Sequence, residues 1–252
     1  MRKDPIKSEL NIFGGRVLDR EDLGTDPEVF LSRLSESIVR WRKDGTKIIW
    51  LNLHITIANF IPIAAALGFI FHHAEEDRVE MTLSLQANSH IPPYATHYIG
   101  AGGVVRKDPE TMLVVAERYR RGGQRHYKLP GGALHKGEHI QDAVTREVRE
   151  ETGIESRFIS LNCFRHWHGY RYNKSDIYFV CRLQALTFDI VRQEDEIEEC
   201  LWMPVEEYLN HPDVHAFNRK VARQVLCSPG LIHDPIEGYG TPDSHEIFMP
   251  EE

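Results

Sequence analysis

Apolar positions in the first ninety residues alternate between helical and extended spacing. Asp26-Pro27 is a helix-start signal, and apolar residues recur every three or four positions from Phe30 to Trp41. After residue 46, the spacing of apolar residues is first that of a buried strand, then that of a helix, and finally that of a half-buried strand. The predicted elements are a helix, a strand, a short apolar helix and a strand, over residues 27–43, 47–55, 58–67 and 78–85. The proline-containing segment 89–94 is typical of a linker.

Residues 48–71 carry no formal charge, and a stretch of this length could span a bilayer. However, the stretch contains Asn52, His54, Asn59 and Pro62, and it divides into the strand and the short helix just described. A strand followed by a helix inside a soluble domain explains both halves. We therefore expect no membrane span.

A second series of strands and helices follows the linker. Strands are predicted over 98–106, 112–116, 127–129, 158–164, 177–183 and 200–203, and helices over 138–151, 205–209 and 216–226. Strands on both sides of a central helix indicate a mixed sheet packed between helices. We expect an α/β protein in which a small α/β module, 1–94, precedes a larger domain, 95–230. A Pro-, Gly- and His-rich tail, 231–252, is expected to be loosely ordered.

The helix predicted over 138–151 places three carboxylates along its apolar stripe. At about 100° per residue, Glu147 and Glu151 fall within about 20° of Ile140, and Glu150 lies about 80° from it. Glu150 and Glu151 also occupy the last turn, where negative charge opposes the helix dipole by about 0.3–1 kcal/mol per charge. A positive group is therefore expected beside this face, and clustered carboxylate oxygens suit Mg²⁺ or Mn²⁺. The alternative is a solvated acidic face with salt bridges inside the helix.

Composition and charge restrict the compartment and the partners. Thirty Lys and Arg against thirty-eight Asp and Glu give a net charge of −8, which disfavours a basic nucleic-acid-binding protein. Four widely spaced cysteines without a Cys-x-x-Cys pair indicate reduced thiols rather than a disulfide framework or a zinc finger. The first ten residues contain no apolar signal segment. These features predict a cytoplasmic protein.

The segment from Gly132 to Ile154 resembles the Nudix box, in which a glycine, a glutamate and an Arg-Glu-aliphatic-x-Glu-Glu-x-Gly-aliphatic segment stand at fixed spacing. The matching positions are Gly132, Glu138, Arg146, Glu147, Val148, Glu150, Glu151, Gly153 and Ile154. Flanking segments, among them 41–42, 49–51, 71–74 and 175–178, resemble one subgroup of the Nudix superfamily. This subgroup contains the vertebrate antisense fibroblast growth factor protein and the plant ADP-ribose and NADH pyrophosphatases.

The resemblance implies a Nudix α/β/α sandwich and Mg²⁺- or Mn²⁺-dependent hydrolysis of a nucleoside diphosphate linked to another group. It makes ADP-ribose and NADH the first candidate substrates. The alternatives are a nucleotide-sensing Nudix module without significant turnover, and an RNA-cap hydrolase. A homodimer through the N-terminal module is a further expectation, and His72 and His73 of that module are expected to be core or interface residues.

The resemblance also assigns roles to residues of the box. Glu147, Glu150, Glu151 and the backbone carbonyl of Gly131 are expected to hold the metal. Arg146 is expected to orient Glu150. Glu138 is either a structural carboxylate at the start of the helix or a distant contributor to the metal shell.

An acidic segment follows the box at 192–199, where the family often supplies another metal ligand or the general base. Glu196 is the first candidate and Glu194 the second, and the alternative is a solvated acidic loop.

Two groups of residues outside the box are candidates for substrate binding. Arg118 and Arg120 belong to a basic cluster with Arg121 and Arg125, which either clamps phosphate or is a solvated loop. Segment 164–170 mixes aromatic and polar side chains. It is either a base-stacking platform or a structural cluster, and its candidate contacts are Arg165, Trp167 and Tyr170.

Overall fold

A computed structural model of the chain describes residues 4–87, 89–119, 124–241 and 243–251. The chain forms two compact units, Met1–Ala95 and Thr96–Glu252. One apolar core holds the first unit together, and the second unit has one on each face of its main sheet. The four cysteines are all free thiols.

The first unit packs helices against a five-stranded sheet. Its elements are β1 (Ser8–Leu10), β2 (Gly15–Leu18), α1 (Pro27–Lys43), β3 (Ile48–His54), α2 (Ile61–Ala66), β4 (Ile70–Glu75) and β5 (Arg78–Ser84). The strand order is β1-β2-β3-β5-β4, so β1 and β4 are the two edge strands.

Helix α1 begins where the sequence predicts. The Asp26 side chain accepts hydrogen bonds from the backbone N–H groups of Glu28 and Val29 at 2.9 and 3.0 Å. Farther into the unit, the buried ring of Phe30 stacks on Phe60 with their centroids 4.1 Å apart. The apolar stripe of the helix therefore faces the core.

The uncharged segment 48–71 is divided among several short elements. Strand β3 leads into a 3-10 turn, Ile55–Phe60, and then into α2. Strand β4 is absent from the predicted elements, because its first apolar residues continue the pattern of the preceding helix. On β4, the half-buried His72 donates from Nε2 to the carbonyl of Pro92 at 2.8 Å. Within the described part of the chain, every helix is too short or too polar to cross a membrane.

The second unit contains the remaining elements. They are β6 (His97–Asp108), β7 (Thr111–Glu117), β8 (Tyr127–Lys128), β9 (Gly131–Ala133), α3 (Ile140–Thr152), β10 (Ser156–Trp167), β11 (Ser175–Ala185), β12 (Ile197–Pro204), α4 (Val205–Asn210), α5 (Ala216–Cys227), β13 (Ile232–His233) and β14 (Phe248–Met249). The main sheet has the order β10-β11-β6-β7-β12, with β8 beside β7 and β9 beside β6. Only the β11–β6 pair is parallel among these pairs, so the sheet is mixed.

Helices cover both faces of this sheet. Val144 and Val148 of α3 pack on one face, and Val221 and Val225 of α5 pack on the other. We call these the α3 face and the α5 face. The layers confirm the expected α/β/α arrangement.

Residues 231–252 make specific contacts in their described part. Strand β13 pairs with β14, and Leu231 exchanges two backbone hydrogen bonds with Leu161 of β10, at 2.7 and 2.9 Å. This is more order than the composition of the tail indicates. The reason is that backbone groups make these contacts, and a periodicity of apolar side chains does not reveal them.

Candidate active site

The three glutamates near the end of α3 differ in how far they are exposed to solvent. Glu151 is 5% exposed, while the side chains of Glu147 and Glu150 are 16% and 48% exposed. The helix ends at Gly153, whose φ of 74° is the left-handed conformation common at helix C-termini. Two of the three carboxylates therefore face inward, and the third lies at the border with solvent.

A glycine loop lies against these carboxylates. The Gly131 N–H donates to Glu151 Oε2 at 2.9 Å, and a Cβ on Gly132 would lie 2.5 Å from Glu147 Oε2. Gly131 has φ of 146°, and a Cβ there would lie 2.3 Å from the carbonyl oxygen of Ala101. Side chains at either position would thus displace the loop or the carboxylates. The Pro-Gly-Gly turn is required for this close approach.

Arg146 connects three carboxylates. It donates from Nε and Nη2 to the two oxygens of Glu138 at 2.7 and 2.9 Å, and from Nη1 to Glu147 and Glu150, both at 2.9 Å. The hydrogen bonds from Arg146 hold the pKa of the Glu138 carboxyl below its usual value. Glu138 also accepts from the backbone N–H of His135 at 2.8 Å. Through these contacts Glu138, which precedes the first turn of α3, holds the Arg146 side chain in place.

A half-buried cation, Lys128, lies beside the buried Glu151. Its Nζ is 2.5 Å from Glu117 Oε1 and 3.6 Å from Glu151 Oε1. Burial raises the pKa of the Glu151 carboxyl to about 7, although Lys128 and the Gly131 N–H oppose this change. Burial lowers the pKa of Lys128, but the charges of Glu151 and Glu117 outweigh it and raise the pKa overall.

Lys128 and Glu117 are not among the residues predicted from the sequence. The available signal is a lysine in the apolar strand that leads into the Pro-Gly-Gly turn. Its partners come from β7 and α3, so only strand pairing brings the three groups together.

The donors at this site fit a divalent cation. Five carboxyl groups share two cationic side chains, and the groups are Glu117, Glu138, Glu147, Glu150 and Glu151 with Lys128 and Arg146. Among the described residues, no three His, Cys, Asp or Glu side chains are arranged as a set that could hold a metal ion. Arg146 and the Gly131 N–H hold one oxygen each of Glu147, Glu150 and Glu151. Hard oxygen donors in excess over cations are the chemistry that Mg²⁺ and Mn²⁺ prefer.

The acidic loop after β11 lies near the end of α3. Gln193 N–H donates to the carbonyl of Glu151 at 3.1 Å. Arg118 bonds to the same loop, from its backbone N–H to the carbonyl of Glu196 at 2.7 Å and from Nε to the carbonyl of Glu194 at 3.0 Å. The Glu196 side chain is exposed. The structure therefore brings Arg118 and the acidic loop together through backbone atoms.

Two other members of the basic cluster, Arg120 and Arg121, lie outside the described residues. The fourth, Arg125, pairs with Glu199, which also accepts from the Tyr127 hydroxyl at 2.6 Å.

Three residues of the predicted aromatic segment cluster on the α5 face. The Arg165 guanidinium pairs with Asp176 and lies 5.2 Å from the ring of Trp167. Trp167 contacts Tyr170 with centroids 5.6 Å apart, and Tyr98 contacts Tyr170 at 6.0 Å. Arg165, Trp167 and Tyr170 are thus neighbours in space.

Tyr178 and Phe217 complete this cluster, and the sequence analysis assigned neither a role. Both rings lie under the Arg165 guanidinium, at 5.5 and 5.3 Å from its centre. Tyr178 also occupies space over Gly100 and Gly102, where a Cβ would lie 3.0 Å or less from it. Register places Tyr178 opposite Arg165, which periodicity along one strand does not reveal.

Two family models match most of the chain. The Nudix hydrolase domain matches residues 6–85, and the NUDIX domain matches residues 96–225. The second match contains α3, the glycine loop and the aromatic cluster.

Relatives with known names align over 88% of this chain. Nudix hydrolase 2 of Arabidopsis thaliana is 37% identical over 81% of its own length, and Nudix hydrolase 8 of the same plant is 34% identical over 61% of its length. The human protein named Nucleoside diphosphate-linked moiety X motif 6 is 36% identical over 72% of its length. The chain thus spans between three fifths and four fifths of these relatives. It belongs to the Nudix hydrolase family, the pyrophosphohydrolases that cleave a nucleoside diphosphate linked to another group.

Proposed function

We propose that the protein hydrolyses the diphosphate of ADP-ribose or NADH, with Mg²⁺ or Mn²⁺ as cofactor. The supporting observation is the set of α3 carboxylates that lies against the glycine loop. The choice of substrates rests on the resemblance to the plant ADP-ribose and NADH pyrophosphatases. We further propose that the protein works in the cytoplasm and binds no nucleic acid or membrane.

The proposed metal ligands are Glu147, Glu150, Glu151 and the carbonyl of Gly131. Divalent ions held there would neutralise charge on the diphosphate and lower the pKa of the attacking water. The contact of Gly131 with Glu151 and the close approach of Gly132 to Glu147 support this assignment, since they place loop and helix oxygens side by side.

The cationic side chains hold these ligands in place. Arg146 fixes one oxygen each of Glu147 and Glu150, which leaves the second oxygen of each without a hydrogen bond among the described residues. Lys128 stabilises the ionised form of the buried Glu151, which a metal ion requires.

Glu196 is the proposed general base or additional ligand, and Glu194 is the second candidate. The loop that carries them lies next to the last turn of α3, and their exposed side chains are available to a bound substrate. Arg118 holds this loop through two carbonyl groups. We propose that Arg118, and Arg120 beyond the described residues, also contact phosphate.

The aromatic cluster is the proposed site for the base. The Trp167 side chain is 47% exposed, and it is held by contacts with Arg165 and Tyr170. A rigid ring of this kind can stack on a purine with small loss of side-chain entropy.

A homodimer through the first unit is also proposed. Ile70 and Phe71 on the edge strand β4 are 62% and 64% exposed. An exposed apolar edge strand can pair with a second copy of itself. Light scattering of the unmodified protein and of Phe71→Glu would decide this, and a monomer at micromolar concentration would contradict it.

Product release from a panel of nucleotides tests the main proposal. The panel contains ADP-ribose, NADH, NAD⁺, dinucleoside polyphosphates, nucleotide sugars, CoA and capped RNA, each with Mg²⁺, with Mn²⁺ and with chelator. We expect AMP from ADP-ribose or NADH only when metal is present. The double variant Glu150→Gln with Glu151→Gln should lose about 10²-fold or more in kcat.

Other outcomes would change the assignment. Turnover of another panel member would keep the enzyme and replace the substrate. Binding without turnover would favour a nucleotide sensor, and cleavage restricted to capped RNA would favour the RNA-cap hydrolase.

A further inference from the structure

Residues 228–241 and 243–249, here called the C-terminal strap, pass from α5 to α3 around the free edge of the main sheet. Leu231 bonds to Leu161 of β10, which is an edge strand of that sheet. Gly230, with φ of 81°, lies so near Ser160 that a Cβ would be 2.8 Å from its side chain. The strap therefore follows the edge closely before it reaches α3.

The strap supplies the cap of α3. Glu246 Oε2 accepts from the Ile140 N–H at 2.7 Å, and its Oε1 accepts from the Gln141 N–H at 3.1 Å. These are the first N–H groups of the helix, which have no partner inside it. The N-cap residue, His139, is not of the types that cap best, and a carboxylate here also interacts favourably with the helix dipole.

Contacts on both sides fix the position of Glu246. The carbonyl of the next residue, Ile247, accepts from the Asp234 N–H at 2.9 Å. The ring of Phe248 packs on Phe158 of β10, with centroids 5.6 Å apart. Glu246 is thus tied to the sheet edge through β13, β14 and β10.

Glu246 therefore connects the first turn of α3 to the edge of the main sheet, two turns before the Glu147 carboxylate. Glu147 stands two turns after Ile140, and it must meet Gly132, which belongs to the sheet through β9. A shift of α3 relative to the sheet would therefore separate Glu147 and Glu151 from the glycine loop. The cap on the first turn opposes such a shift.

We propose that Glu246 is a positioning residue for hydrolysis. By holding the first turn of α3 to the strap, it keeps the carboxylates in register with Gly131 and Gly132. This inference rests on the proposed function, in which α3 is the metal-binding helix.

Three variants of the full chain test the role. Glu246→Gln keeps the size but turns an amide N–H group toward the helix N–H groups. Glu246→Asp keeps the carboxylate on a side chain one methylene shorter. Glu237→Gln is the matched control, because it removes the same charge from an exposed position of the strap.

The measurements are Mn²⁺ binding by electron paramagnetic resonance without nucleotide, then kcat and KM, and Tm in chelator. In Glu246→Gln we expect Mn²⁺ affinity and kcat to fall about tenfold with KM within about twofold, since misplacement of ligands by a fraction of an ångström is costly. Glu246→Asp, whose shorter side chain weakens the contact with the helix N–H groups, should lose about threefold in both Mn²⁺ affinity and kcat. Glu237→Gln should behave as the unmodified protein.

Different failures lead to different conclusions. A lower Tm of Glu246→Gln with unchanged Mn²⁺ affinity and kcat would show a structural cap only and overturn the proposal. Equal losses in Glu237→Gln would also overturn it, because charge rather than contact would then matter. If Glu246→Gln does not fold, Glu246→Asp is decisive, and unchanged affinity and kcat in it refute the role. No Mn²⁺ binding by the unmodified protein would refute the proposed metal site itself.

Discussion

The substitution Gly132→Ala tests whether the position of the Glu147 carboxylate controls hydrolysis. The new Cβ would lie 2.5 Å from Oε2 of Glu147 and 2.7 Å from its Cδ and Oε1. Gly132 is not among the residues with positive φ, so the methyl group adds steric contact without backbone strain. The carboxylate, rather than the loop, must therefore move.

The size of the effect follows from these distances. An ordinary van der Waals contact begins near 3.4 Å, so Oε2 must retreat by about 0.9 Å. Because the end of a glutamate side chain turns easily, we expect the free energy of unfolding to change by less than about 1 kcal/mol. A misplacement of about 1 Å in a reacting assembly costs about 10²-fold in rate. We therefore expect kcat to fall about 10²-fold at nearly unchanged Tm.

The assay is metal-dependent release of AMP, with Tm recorded on the same samples. Gly131→Ala is the matched comparison, since a Cβ there would meet the backbone of Ala101 and Gly102 at 2.3 and 2.4 Å, with φ of 146°. It should destabilise the loop itself and lower Tm. Folded Gly132→Ala protein with activity within about threefold of the unmodified protein would refute the reasoning, because the displaced carboxylate would then be dispensable.

Three further predictions concern separate parts of the site. Lys128→Met should lower the free energy of unfolding by about 2 kcal/mol or more, because the buried Glu151 would lose the cation beside it; urea denaturation in chelator measures this, and a change below about 0.5 kcal/mol would contradict it. Glu196→Gln should lower kcat at least about tenfold if it is base or ligand, and a loss below about threefold in steady-state kinetics would transfer the role to Glu194. Trp167→Ala should raise KM about tenfold with kcat unchanged; an unchanged KM would exclude a base platform there.

Local patterns predicted which candidate residues lie together when those residues are close in the sequence. The three carboxylates of α3 follow from angular position on a helix, and Gly153 as its end follows from its place after the last periodic residue. Arg165, Trp167 and Tyr170 were found because they stand within six positions of one another. In each case the contacts involve neighbours in the chain, for which spacing is sufficient information.

Contacts between distant segments were not predictable in the same way. Arg118 and Glu196 were separate candidates, and the pairing of β7 with β12 brings their backbones together. Arg125 of the basic cluster pairs with Glu199 of β12, a partner that is distant in the sequence. Spacing along the chain does not indicate which strands become neighbours or in what register.

By itself, the sequence determined the α/β class, the helix with an inward acidic face and the family. These depend on periodicity and on a motif of fixed spacing. Only the tertiary structure decided that Lys128 lies under Glu151, that Tyr178 and Phe217 support Arg165, and that Glu246 caps α3. The physical reason is that each of these contacts joins different elements, and strand order and register decide which elements meet.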